Sequence, residues 1–148
     1  MTQLNNPLVL RVFGLCYFQN EVGIVMERAD YSLQYPTPLT LESLDFALQL
    51  VSAVKYLHAR SVLHHDIKPA NLLVCNGKLK VSDFGTARTI SNNTVKNVSV
   101  TYTPKYAAPE VLDNKASMHS DVYNIGMKLC ATKLLLKGCL LIKFYVRN

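Results

Sequence analysis

An octet at the middle of the chain, His64-His65-Asp66-Ile67-Lys68-Pro69-Ala70-Asn71, limits the possible folds most. Five of its eight residues are polar, and apolar segments flank it on both sides. Before it, Leu41, Leu44, Leu48, Val51, Val54 and Leu57 recur every three or four residues, which predicts one long helix with a single apolar stripe. Thr40 is placed to cap that helix and Glu42 sits in its first turn. After the octet come short apolar pieces, Asn71 to Val74 and Leu79 to Val81, with the turn pair Asn76-Gly77 predicting a hairpin between them. The octet is therefore a turn between a buried helix and a buried hairpin.

The remaining segments extend this α+β pattern. Leu8 to Phe18 and Val22 to Met26 are β-branched and aromatic runs around Gln19-Asn20-Glu21, read as two strands of a sheet. Prolines between Tyr35 and Pro38 break the chain, and Ser61-Val62-Leu63 is a further short apolar piece. Thr86 to Thr103 is rich in Ser, Thr and Asn and reads as a long loop, the kind that is usually functional or disordered. A helical stretch begins at Asp121, preceded by Ser120.

Composition excludes several classes. With 148 residues, 49% of them hydrophobic, one domain with a real core is expected and wholesale disorder is excluded. The net charge of +6 comes from scattered residues with no aromatic–basic interleaving, so no nucleic-acid partner is expected. Cys16, Cys75, Cys130 and Cys139 lie far apart and form neither zinc spacing nor a disulfide framework. The start carries no signal-peptide pattern, and lysines interrupt the apolar tail Leu134 to Ile142 before the ~20 residues a membrane span needs. A cytoplasmic location follows as the expectation. On that view Asn92 and Asn97, each in an Asn-x-Ser/Thr triplet, mark only a polar loop.

Two further motifs follow the octet in order, Asp83-Phe84-Gly85 and then Ala108-Pro109-Glu110, the latter preceded by Thr103-Pro104-Lys105-Tyr106. The pattern His-x-Asp-x-Lys-Pro-x-Asn fixes five residues, so chance supplies it roughly once in three million positions. Together these motifs resemble the eukaryotic protein kinase family, of the serine/threonine kind and loosely its tyrosine-kinase-like branch. The resemblance covers roughly residues 5 to 127. It implies an incomplete two-lobed fold: a remnant of the small lobe and hinge over 1–33, with two small-lobe strands, and the front half of a mainly helical large lobe over 34–127. Residues 128–148 read as a non-homologous ending, as in a truncated or alternatively spliced product.

The family implies ATP and Mg²⁺ as cofactors and a protein Ser/Thr hydroxyl as acceptor. Asp66 would orient the attacking hydroxyl, and Lys68 would offer a point charge to the transferring group. Asn71 and Asp83 supply the hard oxygen ligands that Mg²⁺ prefers. By resemblance Met26 gates the back of the adenine pocket, backbone groups of Glu27 and Ala29 bond the adenine edge, and Leu73 forms its floor. His64 packs on Phe84 as a structural residue, Gly85 gives the loop freedom after Asp83, and Asp121 braces the turn from His64 to Asp66. Lys68 and Thr103 follow the serine/threonine pattern.

Several positions depart from the family pattern. His65 stands where an Arg usually binds an activation-loop phosphate, so switching through Thr94, Ser99 or Thr101 is expected to be weak. The Arg partner of Glu110 has no counterpart, and Lys128 falls where a buried helix expects an aliphatic residue. Within these 148 residues there is no Gly-x-Gly-x-x-Gly and no Val-Ala-x-Lys strand. The phosphate lid and the phosphate lysine are therefore lacking, and little turnover is expected from this chain by itself. The alternative is a non-catalytic kinase-like module that binds a partner protein through exposed apolar surface.

Lys68 and Thr103 predict the acceptor. A complete domain built on these motifs is expected to phosphorylate Ser and Thr and not Tyr, and a peptide array dominated by tyrosine acceptors contradicts this.

Overall fold

Paired left-handed residues close the two hairpins. The computed structural model describes residues 4–33, 41–90, 94–96, 103–113 and 115–131. β1 (Val12–Phe18) and β2 (Glu21–Met26) run antiparallel around Gln19 and Asn20, whose φ angles are 46° and 66°. Positive φ at both central residues is the type I′ geometry that matches the strand twist. The Gly14 backbone approaches β2 after an irregularity in register beside Val12.

β3 (Tyr31–Ser32) pairs with β5 (Leu72–Cys75), which pairs with β6 (Lys78–Val81), giving a three-stranded antiparallel sheet in the order β3-β5-β6. Its tight turn is Asn76-Gly77, with φ of 50° and 71°, as the sequence predicts. Leu8 to Leu10 lie along β6, with Leu10 N–H donating to the Val81 carbonyl at 2.9 Å. Two more pairings follow: β4 (Val62–Leu63) with β7 (Arg88–Thr89), and β8 (Thr94–Lys96) with β9 (Lys115–Ser117). The stretch 86–103, expected to be loop throughout, thus carries β7 and β8. Strands of two or three residues paired with distant partners leave no period to read.

α1 (Leu41–His58) is the expected long helix, but its buried face is turned from the predicted stripe. Phe46, Ala47, Leu50, Ala53, Val54 and Leu57 are buried, whereas Leu44 and Leu48 are 40% and 49% exposed. Phe46, Ala47, Leu50 and Ala53 lie outside the predicted stripe, yet all four are buried in one cluster with Leu79, Val81 and Ile125. The face of α1 joins Leu33, Ile67, Leu72, Val74, Leu79, Val81 and Ile125 in the main core. The expected cap Thr40 lies outside the described residues, as do Ser99, Thr101 and the tail beyond 131. For Thr94 and Lys128 the structure describes the backbone alone.

A short α2 (Pro109–Leu112) precedes α3 (Met118–Ala131). α3 starts at Met118 rather than at Asp121, because Ser117 caps it. The His119 N–H donates to Ser117 Oγ at 3.2 Å, and the Ser117 N–H donates back to Ser120 Oγ at 3.1 Å. This start brings Asp121, fully buried, under the octet. Its Oδ2 accepts from the His64 N–H at 3.0 Å and lies 2.9 Å from His58 Nε2, while Oδ1 accepts from the His65 N–H at 2.9 Å. Burial alone would raise the Asp121 carboxyl, but the bonds from His58 and the His64 amide outweigh it and hold it below the usual carboxylate range.

Asp121→Ala strands these donors in the core and is expected to cost about 3 kcal/mol or more of unfolding free energy, read by urea denaturation. A loss within ~0.5 kcal/mol contradicts the role, since that is the scale of an ordinary surface change. Because the folded-state pKa is depressed, the contribution is complete above the unfolded value of ~3.9 and is lost as pH falls through the lower folded value.

Candidate active site

The octet forms a tight turn between β4 and a 3-10 turn at Pro69–Asn71, anchored by the fully buried Ile67. Pro69 suits the first position of that turn, where no N–H partner is needed. Asn71 closes the turn, with Nδ2 donating to the Asp66 carbonyl at 2.9 Å and to Asp66 Oδ2 at 3.1 Å. The Lys68 ammonium lies 2.6 Å from Asp66 Oδ2, and the Thr103 hydroxyl donates to Asp66 Oδ1 at 2.7 Å. Lys68 also donates to Thr103 Oγ1 at 3.1 Å, which closes a ring of three side chains. Burial opposes the Asp66 charge, but hydrogen bonds from Lys68, Thr103 and Asn71 more than offset it, so its carboxyl sits below the usual range. At neutral pH it is an oriented, ionised acceptor.

Asp83 follows directly on a segment locked to this turn. Ser82 donates both its N–H, at 2.9 Å, and its hydroxyl, at 3.0 Å, to the Asn71 carbonyl. His64 lies with Nε2 2.9 Å from the Ser82 carbonyl and meets Phe84 edge-to-face at 4.9 Å between ring centres. Thr86 closes the far side by donating its hydroxyl to the His64 carbonyl at 3.0 Å. Asp83 itself is exposed and has φ of 61°. The left-handed backbone therefore falls on Asp83 and not on Gly85, where freedom was expected. Gly85 serves by close approach: its N–H donates to Asp83 Oδ1 at 3.3 Å, and an added Cβ would lie 3.2 Å from that oxygen.

His65 is the other left-handed residue of the site, with φ of 69°. Its side chain is buried, its Nε2 has no hydrogen-bond partner among the described residues, and burial pulls its pKa down. Glu110 accepts from the Ser120 hydroxyl at 2.8 Å. Sequence reading singled out neither Ser82 nor Thr86, and it missed His58. A buried histidine at the end of α1 was detectable only with the helix face placed correctly.

The structure places the four residues expected at the adenine apart from this ring. Met26 ends β2 opposite Val12 and is 45% exposed. Glu27 and Ala29 lie on the strand-to-β3 connection, and Leu73, half-buried, sits on β5 opposite Ser32 and Lys80. The Glu27 carboxylate is 2.7 Å from the Lys80 ammonium, and this bond in the first place holds its pKa below the usual range.

The donor set fits Mg²⁺. Asn71 and Asp83 offer an amide and a carboxylate oxygen from segments tied through Ser82, and Mg²⁺ is commonly held by one or two such groups with phosphate oxygens and water completing the shell. Among the described residues there is no cluster of three His, Cys, Asp or Glu side chains to cage a metal without a substrate. No helix among them is long and apolar enough to cross a membrane.

Comparison with known proteins agrees with the geometry. The family model described as the protein kinase domain matches residues 1–140, a span that runs past residue 127 into the segment expected to be a non-homologous ending. The chain is 40% identical over 90 residues to the cell cycle serine/threonine-protein kinase CDC5/MSD2 of Saccharomyces cerevisiae, covering 58% of this chain and 13% of that protein. It is 43% identical over 82 residues to serine/threonine-protein kinase 36 of Mus musculus, 54% of this chain and 6% of that one. Against the sucrose non-fermenting protein kinase 1 of Fusarium virguliforme it is 32% identical over 134 residues, 85% of this chain and 19% of that one. The chain thus spans less than a fifth of the length of each of these kinases. With the family model covering nearly its whole length, this chain belongs to the protein kinase domain family.

Proposed function

We propose that the site transfers the γ-phosphoryl group of ATP to a Ser or Thr hydroxyl of a protein substrate. The observation that carries this reading is the ring of Asp66, Lys68 and Thr103 with Asn71 at its base. Bound Mg·ATP supplies the phosphoryl group and neutralises its charge. Asp66, ionised and aimed by Lys68, Thr103 and Asn71, accepts the hydrogen bond of the incoming hydroxyl and fixes its approach. Lys68, already beside Asp66, places a positive charge where the developing negative charge gathers. Asn71 and Asp83 would hold the metal, Leu73 and Met26 would face the base, and backbone groups of Glu27 and Ala29 would bond its edge. Thr103 holds Asp66 and Lys68 at hydroxyl-acceptor spacing, consistent with Ser/Thr rather than Tyr acceptors.

A cytoplasmic setting suits this chemistry. Cys16 and Cys75 are free thiols, and burial pushes the Cys75 thiol up, away from reactivity. One observation favours the second reading, a kinase-like module that docks a partner: Leu15, Tyr17, Phe18 and Ile24 on the β1–β2 hairpin are each at least 59% exposed.

The two readings separate by experiment. The 148-residue chain is expected to bind ATP weakly and only with Mg²⁺, by calorimetry, and Asp83→Ala is expected to remove that binding while Asp66→Asn leaves it within about twofold. Grafting a glycine-rich strand pair and an Ala-x-Lys strand ahead of Met1 should raise turnover on Ser/Thr peptides, with Asp66→Asn then lowering kcat by about a hundredfold or more. ATP binding indifferent to both Mg²⁺ and Asp83→Ala overturns the catalytic reading in favour of the docking one.

A further inference from the structure

The Glu27–Lys80 pair is unexplained by the transfer chemistry, and its surroundings show what it does. Glu27 sits where the chain leaves β2, three residues before Asp30 bonds the β3-β5-β6 sheet, and Lys80 lies on β6 opposite Leu73. The pair is largely shielded, with side-chain exposures of 25% for Glu27 and 14% for Lys80, and its N–O distance is 2.7 Å. On the other side of the same short connection, the Asp30 N–H donates to the Val74 carbonyl at 2.8 Å, and Asp30 Oδ2 accepts from the Asn76 N–H at 2.8 Å. The Glu27 N–H is fixed as well, donating to the Arg11 carbonyl at 2.8 Å. Residues 27–30 are thus pinned at both ends to the β5–β6 hairpin, which carries Leu73. Between the pins lie the carbonyl of Glu27 and the backbone of Ala29.

We infer that Lys80 is a positioning residue for the nucleotide base: through the Glu27 carboxylate it holds the 27–30 backbone at a fixed height over Leu73. This rests on the ATP reading above. Lys80 is not a catalytic residue, since it reaches the reaction only through Glu27. Placement of the edge groups over the floor affects the base and not the phosphates, so its loss should weaken adenosine and ATP alike. A partly shielded pair depends on sign and reach rather than on identity. An arginine can replace the lysine, and exchanging the two charges can restore the link.

The test uses the full chain, with calorimetric titration of adenosine and of Mg·ATP and amide hydrogen exchange across residues 27–30 without ligand. Lys80→Met is expected to weaken both ligands by about tenfold and to speed exchange at residues 28–30. Lys80→Arg is expected to stay within about threefold of wild type, and the exchange Glu27→Lys with Lys80→Glu to recover most of what either change loses alone. Unchanged affinity and unchanged exchange in Lys80→Met overturn the inference while leaving the ATP reading standing. Equal losses in Lys80→Met and Lys80→Arg overturn it too, because they mark general damage. If the wild-type chain binds neither ligand, the ATP reading falls and the inference with it.

Discussion

One buried carboxylate holds the site together. Asp121 sits at zero exposure among the end of α1, the octet and the start of α3, and it takes hydrogen bonds from all but its own helix. An ionised carboxylate in the core is expensive unless its lone pairs are filled, and three donors fill them here. The two backbone donors belong to adjacent residues, His64 and His65, and each bonds a different oxygen of the one carboxylate. Directly after the second donor the chain turns at His65, whose φ of 69° a non-glycine residue adopts at a cost. The carboxylate stabilises the strained turn, and the strained turn in turn presents Asp66.

From there the constraint propagates by short bonds. His64, held by its amide to Asp121, presents its ring to the Ser82 carbonyl and the Phe84 edge. Ser82 then ties the Asn71 carbonyl, so the two segments bearing the metal-ligand candidates share a bond rather than a mere neighbourhood. The same Asn71 reaches back to Asp66. Charge placement follows geometry: Asp66 has cationic and hydroxyl donors at its carboxylate, while Asp83 is left exposed. A fully satisfied polar network of this kind rigidifies its surroundings, which suits a reaction that depends on positioning.

Much of this was legible in the sequence, for identifiable reasons. Asn76-Gly77 specifies a type I′ turn, and the polar octet between apolar segments leaves little choice but a buried turn. The three ordered motifs carried the family. What escaped were features set by tertiary pairing. The face of α1 took in Phe46, Ala47, Leu50 and Ala53, whose burial is set by the strands and helix packed against them. β7 and β8 are too short to show a period. The start of α3 moved because Ser117 and Ser120 cap each other, a pattern hidden by reading Ser120 as the residue before the helix. The Glu27–Lys80 pair joins residues 53 apart in sequence and has no local signature.

Asp121 fixes the octet from below, and amide hydrogen exchange at His64 and His65 reads this most directly. Both N–H groups are bonded to a buried carboxylate, so they should exchange only through global unfolding, with the same free energy as the core amides of α1 and the same dependence on denaturant. Exchange of either amide by local opening, at a rate like that of the exposed turn at Gln19 and Asn20 and insensitive to denaturant, would show that the turn holds its shape without Asp121.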